Sequence, residues 1–223
     1  MSQHIRALIF DLDGVITDTV ELHYRAWLQL AGETGLPVPE GFRDMLRGVS
    51  RRETLKRLLN GRDIDEETAQ EWMRRKNMHY LAFIAFLTPA AILPGVASLL
   101  DDADRQGIKM AVASSSMNAQ FVLRKLELFD RMDTIADTTM IRRAKPEPDL
   151  FIWAAGRLGV LPHETIVFED AVDGVQAARA GGFWVVGLGD ASLEGAHVRY
   201  PDLSEVTLES ILDEIEAREV AQG

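Results

Sequence analysis

The stretch Ala7-Leu8-Ile9-Phe10-Asp11-Leu12-Asp13-Gly14-Val15-Ile16-Thr17-Asp18 decides the fold. Ala7 to Phe10 is a short apolar run with a β-prone centre, the pattern of a strand covered on both faces in a parallel sheet. It ends on two carboxylates, Asp11 and Asp13, and then on Gly14, which permits a sharp turn without a Cβ clash. In extended backbone, residues two apart point to the same side, so both acids can face one small volume. Such a pair repels itself unless a cation lies between the two or one holds a proton. Asp and Gly are also ordinary punctuation between strand and loop, so these residues alone leave catalysis and turn in balance. A calcium loop of the EF-hand kind starting at Asp11 is excluded, because Ile16 and Leu22 stand where it needs Gly and Glu.

Outward from this stretch the period changes. Leu22, Ala26 and Leu30 form one helical row that Gly32 and Gly35 close. Helices are expected over 42–47, 51–59 and 66–87, with no convincing strand among them. From Pro94-Gly95 onward, helices over 96–105, 119–126, 148–158 and 172–180 alternate with strands over 108–113, 134–136, 165–168 and 183–188. A last helix is expected over 209–217. The alternation predicts an α/β fold, a parallel sheet covered by helices on both faces. Residues 1–16 and 91–223 then form the core, and 17–90 a helical insertion after the first strand.

In open α/β sheets ligands bind beyond the carboxyl ends of the strands. Those ends carry Asp11 and Asp13, Ser114-Ser115-Ser116, and Glu169-Asp170. If the strands are neighbours, two acidic clusters and a hydroxyl cluster meet on one rim. Glu169-Asp170 can also be read as a helix cap. Oxygen-only ligation with few protein ligands suits Mg²⁺, which keeps several waters and takes a phosphate oxygen. Ser114 to Ser116 can cap the next helix and still bind phosphate, and Lys145 can screen a phosphoryl group. In the insertion, Ser50 and Glu53 form a capping box for the helix from Arg51. Arg47, Arg51 and Arg52 beside that helix start break the macrodipole rule, as is expected where an anion binds. Lys76 shares a row with Trp72 and Tyr80, where it either snorkels or faces a cleft. His23, near Trp27, reads first as a packed helix residue.

The bulk numbers narrow the classes. At 223 residues and 47% hydrophobic, the chain can hold one large domain or a core with a smaller companion. Its 24 Lys+Arg against 35 Asp+Glu give a net charge of -11, which argues against nucleic acid and anionic membrane as partners. There are no cysteines, so disulfides, thiolate zinc sites and cysteine nucleophiles are out. No apolar run approaches the ~18 residues of a membrane span. Met1 to Arg6 runs straight into the first strand without room for a signal peptide, so a cytoplasmic monomer is expected.

Read together, FDLDGVITDT with His23, LRGVSRRETL, RKN at 75–77, ASSSMN at 113–118, AKPEPDLF at 144–151 and FEDAVDGVQAARAGG resemble the haloacid dehalogenase superfamily of phosphotransferases. Within it the chain is most similar to the β-phosphoglucomutase family, nearly end to end. The resemblance implies a Rossmann-like core with a four-helix bundle as its cap. It implies Asp11 as the nucleophile that carries an aspartyl-phosphate and Asp13 as general acid and base. Mg²⁺ would sit on Asp11, the Asp13 carbonyl and Asp170, with Glu169 beside or on it. Ser114 and Lys145 would hold the transferring phosphoryl group, and Arg51, Ser116 and Asn118 a distal phosphate. Thr19, His23, Arg47, Gly48, Val49, Ser50, Arg52, Thr54, Lys76 and Ser115 would line the sugar side. The implied activity is a mutase interconverting β-glucose 1-phosphate and glucose 6-phosphate through a bisphosphate; the alternative is a Mg²⁺-dependent sugar-phosphate phosphatase. Three positions depart from the family pattern: Arg47 and Met117 each stand where the family typically has Lys, and Thr54 where it has Ser.

Overall fold

Alternate side chains of a strand part to opposite faces, and in this protein that parting assigns each helix its place. The computed structural model describes residues 5–189 and 193–222. In chain order β1 (Ala7–Phe10) is followed by α1 (Val20–Thr34), α2 (Arg51–Leu59) and α3 (Glu66–Ile84). Then come α4 (Val96–Gln106), β2 (Lys109–Ser114), α5 (Ala119–Lys125), β3 (Thr134–Asp137) and α6 (Asp149–Leu158). The chain closes with β4 (Thr165–Glu169), α7 (Val172–Ala180), β5 (Trp184–Leu188), β6 (Val198–Tyr200) and α8 (Leu208–Gln222).

The strands form one sheet in the order β3-β2-β1-β4-β5-β6, and every pairing is parallel. Phe10 stands opposite Val112 on one side and Phe168 on the other, and its ring stacks on that of Phe168 at 4.7 Å. Leu8, Phe10, Val112 and Phe168 pack with Leu99 of α4, Leu123 of α5 and Ile211 of α8. Ile9, Ala111 and Val167 turn the other way, onto Phe151 of α6 and Ala178 of α7. Burying each such large side chain contributes roughly 1.5–3 kcal/mol, so a slip of one residue in β1 would forfeit both layers. From β1 the order runs outward to β2 and β3 on one side and to β4, β5 and β6 on the other. The crevice at that reversal opens at the end of β1.

The inserted helices gather a cluster of their own, with Trp27 and Leu30 of α1, Leu55 and Leu58 of α2, and Met73 of α3. Their base is different: Ala26, Tyr80 and Ile84 belong to the cluster of the sheet. The two chain passages between sheet and helices are tied together, Leu93 N–H donating to Ile16 O at 2.9 Å and the Thr17 hydroxyl to Ala91 O at 2.8 Å.

Two expectations are corrected. The helix expected over 42–47 is a single 3₁₀ turn, Asp44–Leu46. Gly41 and Gly48, both left-handed (φ 69° and 71°), bound it, and Arg47 is already extended, leaving too few residues for i→i+4 bonding. The insertion therefore holds three α-helices, this turn and the start of a second 3₁₀ turn, Pro89–Ala91. β6 was not expected; at three residues its pattern is too short to read, and it forms the edge of the sheet. Among the described residues no helix is long and apolar enough to cross a membrane.

Gly95 (φ 80°) opens α4 with its Cα against the loop before α8; an added Cβ would meet Leu203 O at 1.7 Å. Gly95→Ala therefore combines left-handed strain with overpacking against backbone and is expected to destabilise by about 2–4 kcal/mol. Urea unfolding checks this, and an unchanged midpoint would refute it.

Candidate active site

Asp11 extends the odd-numbered face of β1, and Glu169 ends β4 on that same face. Lys145 arrives on the loop just before α6, the helix covering that face. Its ammonium lies 2.5 Å from Asp11 Oδ1, bonds Glu169 Oε1, and is fully buried. Burial alone would lower the pKa of Lys145; the two carboxylates outweigh it and hold the group above its ordinary value. Glu169 accepts the backbone N–H groups of Asp170 and Ala171 on its other oxygen, at 3.0 Å each. α7 passes directly over it, since an added Cβ on Gly174 would meet Glu169 Oε1 at 1.9 Å. Neither Glu169 nor Asp170 caps α7; Ala171 occupies that position.

Asp13 follows, partly buried. Its Oδ1 accepts the hydroxyl of Thr19, and His23 Nε2 lies 3.9 Å from Oδ2. Burial, with the charges of Asp11 and Asp170, pushes its carboxyl well above the usual range. Tyr80 donates to Thr19 Oγ1 at 3.1 Å and stacks on His23, centroids 3.8 Å apart. Lys76 Nζ lies 2.6 Å from His23 Nδ1 and over the rings of Trp27 and Tyr80. Burial and then the Arg51 charge drive Lys76 well below its ordinary pKa, and burial with Lys76 and Arg51 does the same to His23.

Between sheet and inserted helices lies a cavity of about 410 Å³. Asp11 and Asp13 form its floor; His23, Arg47, Gly48, Val49, Ser50, Arg51, Arg52, Thr54 and Lys76 line it from the helices, and Ser115 and Ser116 from the loop after β2. Three contacts join its walls: Arg47 pairs with Asp170, Ser115 donates to Gly48 O at 3.0 Å, and Asn118 donates to Asn77 Oδ1 at 2.9 Å. Asn77 also accepts from Arg51 Nη2 at 2.7 Å, so one side chain sets both Arg51 and Asn118.

Residues 5–182 match the family model for haloacid dehalogenase-like hydrolases. The chain belongs to that family. It is 38% identical to β-phosphoglucomutase of Bacillus subtilis (strain 168) over 224 residues, covering 98% of this chain and 99% of that one. The crystal structure of β-phosphoglucomutase from Clostridium difficile superposes with a TM-score of 0.93 at 36% identity, covering 97% and 99% of the two chains. A phosphorylated carbohydrates phosphatase of Thermotoga maritima is 31% identical over 180 residues, covering 80% of this chain and 82% of that one. The protein is thus a haloacid dehalogenase-like enzyme close to the β-phosphoglucomutases.

Against this family background the individual side chains can be sorted. Among the described residues no three His, Cys, Asp or Glu side chains form a ready-made metal cluster. Asp170 nevertheless lies across from the acids of β1, since an added Cβ on Gly14 would meet its Oδ2 at 2.0 Å. Two carboxylates, Asp11 and Asp170, and the Asp13 main-chain oxygen fit a hard cation that takes few protein ligands. Glu169, expected among the ligands, has both oxygens committed to Lys145 and the backbone, so it supports the site from behind. Thr19, expected on the sugar side, is wholly buried with its hydroxyl on Asp13. Of the three arginines, Arg51 is tied inward, Arg47 ends on Asp170 and Arg52 on the exposed Glu66. Ser50 does cap α2, accepting Glu53 N–H at 3.3 Å, but the Glu53 carboxylate turns to Lys56 and Arg57, so the box is half made. Thr54 back-bonds to Ser50 O at 3.0 Å. Asn77 stands in the motif RKN at 75–77 but was given no role; its further signal is a polar residue of poor helix propensity in the middle of α3.

Lys76 is a buried cation set against rings and an imidazole rather than a carboxylate. Lys76→Met is expected to stabilise the fold by about 1–2 kcal/mol. Because the folded pKa of Lys76 lies below the unfolded value, the unfolded chain binds more protons in that window and the parent gains stability as pH rises. The advantage of the variant should therefore shrink as pH approaches the ordinary lysine range. Urea midpoints measured at rising pH check the sign.

Proposed function

We propose that this enzyme is a Mg²⁺-dependent phosphosugar mutase that interconverts β-glucose 1-phosphate and glucose 6-phosphate through an aspartyl-phosphate and a bisphosphate. The observation that carries the reading is a cavity with Asp11, backed by the buried Lys145, on its floor and a second polar group, Arg51 and Ser116, on its wall, where Asn77 ties Arg51 to Asn118. Hydrolysis of one phosphate needs only the first; turning a bisphosphate around needs both.

Asp11 is the nucleophile toward phosphorus. Lys145, held on Asp11 Oδ1, places a fixed positive charge beside the transferring group, and Ser114 at the end of β2 donates its hydroxyl. Asp13 gives a proton to the leaving oxygen and later takes one from the sugar hydroxyl that attacks next. Thr19 anchors one of its oxygens, which keeps the other toward the cavity. When bound, Mg²⁺ would be held by Asp11, Asp170 and the Asp13 carbonyl and would supply charge against the phosphoryl oxygens. His23, Lys76, the loop Arg47 to Ser50 and the first turn of α2 line the cavity where the sugar would lie. One chain supplies both grips, so the enzyme is read as working as a monomer.

A phosphatase of the same fold is the second reading, favoured by Met117. That side chain borders the cavity, half exposed and without charge, beside the distal grip. The relative named as a carbohydrate phosphatase supports the same alternative.

Incubation with β-glucose 1-phosphate, Mg²⁺ and trace glucose 1,6-bisphosphate should give glucose 6-phosphate as the main product; inorganic phosphate as main product would replace the mutase by the phosphatase. Asp11→Asn should abolish turnover and the acid-stable phosphoenzyme label, and residual turnover would reject the covalent route. A charged hydrogen bond is worth about 1.5–3 kcal/mol. Arg51→Ala should therefore slow isomerisation roughly ten- to a hundredfold while slowing hydrolysis much less.

A further inference from the structure

α3 turns a stripe of polar side chains to the cavity: Gln70, Arg74 and Asn77, whose spacings of four and three put them on one face. Gln70 donates to Glu66 Oε1 at 2.7 Å, and Arg74 makes two bonds of 2.8 Å to Glu71, so both are spent on acids of their own helix. Asn77 is not. A guanidinium only donates, so the Asn77 atom 2.7 Å from Arg51 Nη2 must be the carbonyl oxygen, which fixes the orientation of the amide. That oxygen also accepts from Asn118 Nδ2 at 2.9 Å, and both of its lone pairs are then taken. The two N–H groups of the half-buried Asn77 amide have no partner among the described residues. The cluster is left with donors only. Arg51 pairs with no carboxylate among the described residues, and burial draws its pKa below the ordinary arginine value. Asn118 keeps a second amide proton, and Met117 beside it brings no charge. N–H groups turned from water without an acceptor cost free energy, and an anion in the cavity removes that cost.

We propose that Asn77 is itself a binding residue for the distal phosphate: its carbonyl gathers Arg51 and Asn118 onto one point, and its own amide N–H groups bond the phosphate oxygens. The assignment rests on the phosphosugar reading above and deepens it. A charged acceptor makes a stronger bond with an amide N–H than a neutral one does, so the grip favours a phosphate ester over a bare hydroxyl at this end of the sugar. A substrate without a second phosphate leaves the Asn77 amide and Arg51 unmatched. Asn77 therefore weighs bisphosphate against monophosphate.

Asn77→Asp separates the two roles of the side chain. The carboxylate still accepts from Arg51 and Asn118, and gives Arg51 a stronger partner, but the N–H groups are gone and a negative charge meets the phosphate. Glucose 1,6-bisphosphate is titrated calorimetrically with Mg²⁺ into the Asp11→Asn protein, where turnover is blocked, and into the same protein carrying Asn77→Asp. Kd is expected to rise roughly tenfold or more, the effect of one lost hydrogen bond to a charged group. Equal or tighter binding overturns the proposal, because holding Arg51 and Asn118 is then all that Asn77 does. A second readout leaves Asn77 in place: in ¹⁵N spectra of the Asp11→Asn protein, the Asn77 side-chain amide signals should shift as bisphosphate saturates it. Saturation with those signals unmoved overturns the proposal. If the bisphosphate binds neither to the Asp11→Asn protein nor to the parent, the phosphosugar reading fails, and inorganic phosphate takes its place in the spectra. Movement of the Asn77 signals then upholds the anion grip without the sugar, and signals that stay in place overturn it.

Discussion

The ammonium of Lys145, sealed between Asp11 and Glu169, is the contact on which the rest of the site depends. Strand order puts two carboxylates on one face of neighbouring strands, where each would disfavour the charge of the other. A buried cation between them lets both remain at the rim, and the cost of its own desolvation is met by pairing on two sides. Every further group takes its place from this knot. Glu169 holds the turn into α7 through two backbone N–H groups, that turn presents Asp170, and Gly174 exists as glycine because the carboxylate fills the space a Cβ would need.

The inserted helices add a second layer of control with different physics. Two cations there are held by neutral groups: Lys76 sits on rings and on His23, and Arg51 is held by the amide of Asn77. Neutral partners position a cation without neutralising it, which leaves its charge available to an anionic ligand in the cavity. This inverts the arrangement at Lys145, where two carboxylates meet one ammonium.

The core was legible because its signals are local. The apolar run Ala7–Phe10, the Asp11-Asp13-Gly14 break and the alternation after Gly95 each report burial or turning within a few residues. The rim was legible once neighbouring strands were assumed, since Asp11, Ser114 and Glu169 all end strands. What was not legible depends on distant partners. Asn77 gains its meaning from Asn118, 41 positions away, and Thr19, whose hydroxyl goes to Asp13, accepts from Tyr80, 61 positions away. The helix expected over 42–47 has the right composition but lies between two left-handed glycines, a backbone constraint that periodicity does not register. The three arginines near α2 looked equivalent in sequence, and only their separate carboxylate and amide neighbours divide their roles.

Ala26, Tyr80 and Ile84 root the inserted helices in the same apolar mass as the sheet, while the upper halves of those helices keep a cluster of their own. The insertion is accordingly no detachable module. Transplanted onto another parallel sheet, it would bring three buried side chains with no seat, and the sheet left behind would show an oily scar. Replacing those helices by foreign ones would leave the sheet's apolar mass open unless the newcomers filled the places of Ala26, Tyr80 and Ile84.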